Sequence, residues 1–408
     1  MVEINGERLL ADLHQVANFG RYKTGVHRPT FSPQDMAARE WLTGRMRDAG
    51  LDATIDGVGN VIGMSRKAGP ILLTGSHSES QNHAGWLDGI LGVIYGIETA
   101  RALAESTGQS SIGIDVGAWA DEETHFLQFL GSRSFIDDLG EDEIDRAVNK
   151  DDGTSLREAL RRAGLDGRKR EHINPERYVG YLEAHIEQGY YLDKADLQIG
   201  IVTSIVGLWQ YRIDFVGEQN HAGSTGMDRR KDAGLALVRL ASEIDRRFPE
   251  IAGERSVWTT GQIVLEPGAP SIIPGRSMML FQFRDDQVAQ LERFDSALCE
   301  LVAKAGETGP CQCKLTVVDQ ALPKEMAPEL QVALEEAARI HTPDKHIHMP
   351  SGAMHDAQIF AKRLPAAMLF VPSIGGISHH YTEDTKEEDI VAGCRVFADA
   401  AERILLRA

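Results

Sequence analysis

The chain has 408 residues, 42% of them hydrophobic and 25% charged, a composition that fits a globular protein of more than one domain. Its formal net charge of -18 disfavours binding to nucleic acid or an anionic membrane, both of which need a basic face, and no apolar run reaches the ~20 residues that a bilayer span needs. Cys299, Cys311, Cys313 and Cys394 lack zinc-ribbon spacing and read as reduced thiols. No basic or apolar leader follows Met1, so a cytoplasmic location is expected.

Leu9, Leu10, Leu13 and Val16, then Ala37, Ala38, Trp41, Leu42 and Met46, recur at helical spacing and predict helix through residues 6–50. Short strands follow at 52–55, 61–64 and 71–74, the last running into Gly75-Ser76-His77. Beyond a polar loop, 89–103 reads as an apolar helix, and 112–119 as a strand that ends in Ala120-Asp121-Glu122-Glu123. Alternating strands and helices predict an α/β sheet covered on both faces, with its chemistry past the carboxyl ends of the strands. The pattern changes near Trp209: strand 210–217, helix 229–248, strands 256–265 and 278–284, helix 287–305, strand 314–319. That order, β-α-β-β-α-β, is a ferredoxin-like unit. The expected organisation is an α/β domain in two parts, 1–208 and 326–408, interrupted by an inserted domain at 209–325. No internal repeat is visible, and no P-loop or dinucleotide fingerprint follows a strand.

Six residues at element ends are able to hold or serve a divalent metal: His77, Asp88, Glu122, Glu123, His185 and His379. Mixed imidazole and carboxylate ligands suit zinc, and also manganese, cobalt or nickel. Two cations close together need a bridging carboxylate. At a strand-end turn both members of the pair Glu122-Glu123 approach one site, so that one binds metal while the other moves protons.

Several segments resemble the hydantoinase/carbamoylase branch of the M20 metal-dependent amidohydrolases, which includes N-carbamoyl-L-amino-acid hydrolases, allantoate and ureidoglycolate amidohydrolases and β-ureidopropionases. They are Gly75-Ser76-His77, Asp88-Gly89-Ile90-Leu91-Gly92-Val93, Asp121-Glu122-Glu123, His185-Ile186-Glu187-Gln188-Gly189, Gly217-Glu218-Gln219-Asn220-His221-Ala222-Gly223-Ser224-Thr225, Ile273-Pro274-Gly275, Met349-Pro350-Ser351-Gly352-Ala353, His355-Asp356-Ala357 and Phe370-Val371-Pro372-Ser373-Ile374-Gly375-Gly376-Ile377-Ser378-His379. They run in family order over nearly the whole chain. The resemblance implies an M20-type metallohydrolase catalytic domain with the ferredoxin-like insert as its lid and dimerisation domain, and two divalent cations, zinc foremost. Asp88 would bridge the two, with His77 and His185 completing one site and Glu123 and His379 the other. Glu122 would be the general base. His221 would stabilise the oxyanion, reaching across a homodimer. Gln188, Ser271, Arg284 and Gly352 would contact a small carboxylated amide or ureido substrate, an arginine fork suiting the carboxylate.

The chain departs from the family pattern at several places. The family's His-x-Asp is here His77-Ser78-Glu79, and Glu79 is expected to orient His77 with a longer arm. An arginine of the family is replaced by Trp86, an asparagine by Ser271, and a glycine before His-Asp-Ala by Met354. The last two changes point to a more apolar pocket. The expected activity is hydrolysis of a linear C–N bond in an N-carbamoyl or related acid. The alternatives are an N-acyl amino acid deacylase or M20-type peptidase, and a catalytically silent dimeric binding protein. His83, His125 and His380 lie near the ligands without a family role.

Overall fold

The computed structural model describes residues 2–106 and 111–408. Its contacts divide the chain into two compact units, Met1–Thr203 with Glu325–Ala408, and Ser204–Lys324.

The first unit opens with helix Gly6–Val16, capped by Asn5, whose side chain accepts the Arg8 N–H at 3.0 Å. Helix does not continue to residue 50. It resumes only at Pro33–Asp48, with Ser32 as cap and Pro33 in the first turn. Between the two lies a small hairpin, Arg21–Tyr22 against Gly25–Val26. The periodicity concealed this break, and the cause is local: Gly20 and Lys23 adopt positive φ, which a right-handed helix does not accommodate. The buried Arg28 then ties the hairpin down, donating to the carbonyls of Val16, Phe19 and Ser78 at 2.8–3.1 Å.

Among the described residues the main sheet has nine strands. Its central path runs Ile199–Ile205, Ala366–Val371, Tyr178–Ile186, Ile71–His77, Gly113–Trp119, Val61–Met64, Asp52–Ile55. The middle four are parallel and the flanking pairs antiparallel. Strands Ile71–His77 and Gly113–Trp119 are buried along their whole length, as a parallel sheet covered on both faces requires. One face carries helices Gly6–Val16, Ile90–Glu105, Pro328–His341 and Glu387–Arg407, whose Leu9, Ile94, Leu334 and Phe397 share a core with Leu72 and Leu369. Strands Ile199–Ile205 and His346–Ser351, which pair with each other, were not foreseen.

The second unit is an antiparallel sheet in the order Val257–Glu266, Arg276–Asp285, Gly207–Val216, Gln312–Ala321. Helices Ala233–Ile251 and Val288–Thr308 follow its first and third long strands, giving the ferredoxin-like order. Trp209, Tyr211, Ile213 and Phe215 alternate into a core with Phe248, Phe281 and Phe294. The four cysteines are unpaired thiols. Among the described residues no helix is long and apolar enough to cross a membrane.

Candidate metal centre

Strand Ile71–His77 is the switch point of the sheet: Gly113–Trp119 lies parallel on one side and Tyr178–Ile186 on the other. Ligands collect at such a point, beyond the carboxyl ends. His77 is the last residue of the central strand, and His185 stands one residue before the end of its neighbour. Glu122 and Glu123 follow strand Gly113–Trp119, and His379 follows Ala366–Val371. Asp88 precedes helix Ile90–Glu105. Four parallel strands thus each deliver side chains to one place.

Five of the six residues form two overlapping groups, His77–Asp88–His185 and Asp88–Glu123–His379, with the donor atoms of each group within 4.8 Å of one another. Asp88 belongs to both. Its Oδ1 lies 3.2 Å from His185 Nε2 and 3.8 Å from His77 Nε2, while its Oδ2 lies 3.2 Å from His379 Nε2. Glu123 Oε1 is 3.5 Å from His379 Nε2 and is buried without a hydrogen-bond partner. Glu122 stands beside both groups and belongs to neither: its Oε2 is 3.9 Å from His77 Nε2.

The main chain sets the imidazoles. His77 Nδ1 faces the carbonyl of Glu79 at 3.2 Å, and His185 Nδ1 that of Ile186 at 3.0 Å. Each Nδ1 therefore carries the proton, and each Nε2 turns its lone pair toward the cluster, that of His185 also lying 3.2 Å from the Gly89 N–H. Gly89 makes room for this. At φ 66, a Cβ there would lie 2.3 Å from the His77 ring, so only glycine lets the helix start this close.

Burial would raise the Asp88 carboxyl, but His379, His185 and His77 overcome it and hold it well below the ordinary range. Burial would lower His77 and His379, yet the carboxylates around them (Glu79 and Asp88 for the first, Asp88 and Glu123 for the second) push both up to about 9. Burial, aided by His77 and opposed by Asp88, brings His185 down to about 4. Glu123 is pushed up to about 7 by burial and then by Asp88. Glu122 is raised well above the usual carboxylate range by burial, then by Glu123, Asp356, Asp88 and Glu79. Buried carboxylates that raise one another, interleaved with imidazoles and leaving a carboxylate oxygen unpartnered, are the donor set of a site built for divalent cations.

Gln188 lies in the same cluster, its amide 3.2 Å from both Asp88 Oδ1 and His379 Nε2. Gly352 follows strand His346–Ser351, with open space where its Cβ would be. The other expected substrate contacts lie in the second unit. His221 and Ser271 meet there: Asn220–His221 pairs with Ile272–Ile273, and Ala222 N–H donates to the Ser271 carbonyl at 2.9 Å. His221 is exposed, and its Nδ1 accepts the Gly223 and Ser224 amides at 3.0 and 3.1 Å. Those donors fix its tautomer, leaving Nε2–H to donate outward. Arg284 is half-buried on strand Arg276–Asp285.

One expectation needs correction. The Glu79 carboxylate does not orient His77, since its Oε1 is 3.9 Å from Nδ1 and the Glu79 main-chain carbonyl holds the ring instead. Trp86 packs into the core, stacked on His14 with ring centroids 4.9 Å apart, and donates to Asp384. None of His83, His125 and His380 joins either ligand group among the described residues. His125 faces Thr30, His83 stacks on His27, and His380 pairs with Thr382. Sequence reasoning missed Glu383, whose Oε1 accepts the Asp88 N–H at 3.2 Å and whose Oε2 accepts the Ser378 hydroxyl at 2.9 Å. It also missed Gln81, whose amide holds Glu123 at 2.9 Å. Neither stands out in sequence, because a lone polar residue in a loop carries no spacing signal.

A switch-point sheet that gathers imidazoles and carboxylates around one shared aspartate defines a metallohydrolase-type catalytic unit. The family model "Peptidase family M20/M25/M40" matches residues 73–403, and the chain belongs to that family. It is 32% identical over 407 residues to the N-carbamoyl-L-amino acid amidohydrolase of Geobacillus stearothermophilus, covering 96% of this chain and 97% of that one. It is 32% identical to the allantoate amidohydrolase of Bacillus subtilis (strain 168), with 92% of each covered. The crystal structure of an amidase of the hydantoinase/carbamoylase family from Burkholderia phymatum superposes with a TM-score of 0.90 at 46% identity, covering 100% of this chain and 99% of that one. The chain is a hydrolytic amidase of this branch.

Proposed function

We propose that the protein hydrolyses the linear C–N bond of an N-carbamoyl or related ureido acid at a centre of two divalent cations. The observation that carries this reading is the division of Asp88, one oxygen toward His77 and His185 and the other toward His379 beside Glu123. His77, Asp88 and His185 would hold one cation, and Asp88, Glu123 and His379 the other. Zinc is the first choice, with manganese, cobalt or nickel also suited to these donors. Such cations, when bound, supply Lewis acidity toward a carbonyl and acidify water.

Glu122 takes the proton of the attacking water and later delivers it to the leaving nitrogen. Its raised affinity for a proton, caused by burial and neighbouring carboxylates, suits it to both steps. Gln188 and Arg284 bind the substrate carboxylate, with Ser271 and Gly352 beside it. His221 donates its Nε2–H to the oxyanion. In this reading the second unit is a lid and the protein works as a homodimer. The products from an N-carbamoyl acid are the free amine, ammonia and carbon dioxide.

The test is ammonia release beside free-amine release from N-carbamoyl, ureido and N-acyl acids, after stripping and reloading with Zn²⁺, Mn²⁺, Co²⁺ or Ni²⁺. Ammonia that depends on metal supports the proposal. Amine without ammonia turns it to N-acyl hydrolysis.

A further inference from the structure

Glu79 is fully buried, and each oxygen of its carboxylate has a partner other than His77. Oε1 accepts the main-chain N–H of Glu122 at 2.7 Å, and Oε2 accepts Arg39 Nη2 at 2.8 Å. Arg39, also fully buried, donates Nε to Asp35 at 2.9 Å and Nη1 to the Gly59 carbonyl at 2.7 Å. Asp35 accepts the Phe31 N–H at 2.8 Å. A buried chain of charge thus runs from helix Pro33–Asp48 to the amide of Glu122.

The turn that carries Glu122 needs such support. Asp121 and Thr124, on either side of Glu122-Glu123, both have positive φ, at 59 and 61, a conformation that persists only where surrounding structure enforces it. Asp121 holds the downstream half, its carboxylate accepting the amides of His125, Phe126 and Leu127 at 2.7–2.9 Å. Glu79 holds the upstream half at Glu122 itself.

We infer that Glu79 and Arg39 are a matched positioning pair for the proton-carrying Glu122, rather than supports of the ligand His77. The length of Glu79 is what this task needs. An aspartate, one methylene shorter, does not keep both the Glu122 amide and the Arg39 fork. Without Arg39, Glu79 Oε2 would lose its hydrogen-bond donor, and the buried charge would rest on the Glu122 amide and the nearby imidazoles alone. The inference rests on Glu122 as the base.

Glu79→Asp, Arg39→Lys and the double variant test it, with Glu122→Gln as control. Each is assayed with the best ureido substrate, and Zn²⁺ affinity of the stripped proteins is measured by chelator competition. Glu79→Asp is expected to lower kcat by about 10–100-fold, the usual range for an outer-shell partner, with KM and Zn²⁺ affinity unchanged. Arg39→Lys keeps the charge but loses the fork, and is expected to lower kcat in the same way. The double variant is expected to be no worse than the poorer single, because the two side chains serve one function. Wild-type kcat in Glu79→Asp overturns the inference. So does a loss of Zn²⁺ affinity that matches the loss of kcat, since that places Glu79 on His77. Full activity in Glu122→Gln removes the base assignment and the inference with it, whereas an inactive Glu122→Gln beside a fully active Glu79→Asp removes the positioning role alone.

Discussion

At the scale of single residues, the centre is held in check by its own charges. His77 and His379 are pushed up to about 9 by the carboxylates around them, against the opposing effect of burial. A metal takes only the unprotonated imidazole, so binding must release protons. Zn²⁺ affinity of the stripped protein therefore rises as pH increases from 6 toward 9, and calorimetry in buffers of different ionisation enthalpy will show proton release. Glu122 belongs to neither ligand group, so Glu122→Gln lowers kcat by roughly 10²–10⁴-fold, the contribution of a general base, while metal content measured by atomic emission stays at the wild-type level. The ligand residues were legible because each stands in a short motif and the motifs occur together in order. Glu383, Gln81 and Arg39 were not, because their roles come from through-space contacts at 2.8–3.2 Å between segments far apart in sequence. Glu79 shows the limit most clearly. Its position beside His77 suggested a partner for the ring, and only the distances show that its carboxylate turns to Glu122 and Arg39.

Elements place these residues with little tolerance. Strand Ile71–His77 and helix Ile90–Glu105 are joined through a turn in which Gly89 has positive φ and touches the His77 ring. Gly89→Ala is expected to weaken Zn²⁺ binding about 10–100-fold by displacing that imidazole, as the loss of a supporting contact does, read by chelator competition. In the second unit, Phe248 is fully buried, stacked on Phe294 at 4.6 Å and edge-on to Phe281 and Phe283. Phe248→Ala is expected to cost about 3–5 kcal/mol, measured by urea titration. The strands ending at His77 and Trp119 were readable because apolar runs stop abruptly at polar residues. The hairpin Arg21–Tyr22/Gly25–Val26 was not, because the helical spacing on either side of it hid two residues of positive φ.

For the whole molecule, strand order turns scattered residues into a site. Four parallel strands at the switch point supply His77, Glu122 with Glu123, His185 and His379 at one end of the sheet, and Asp88 lies where all meet. The α/β character and the β-α-β-β-α-β order of residues 207–321 were legible, since each rests on local periodicity. Strands Ile199–Ile205 and His346–Ser351 were not, because their pairing with each other spans the whole inserted unit. In the proposed function one carboxylate, that of Asp88, serves two cations. The most direct test of that proposal is Zn²⁺ uptake per chain by stripped wild type and Asp88→Ala, counted by titration. Two tightly held ions are expected in the wild type and loss of both in the variant. One ion in the wild type, or one kept by Asp88→Ala at wild-type affinity, would contradict it.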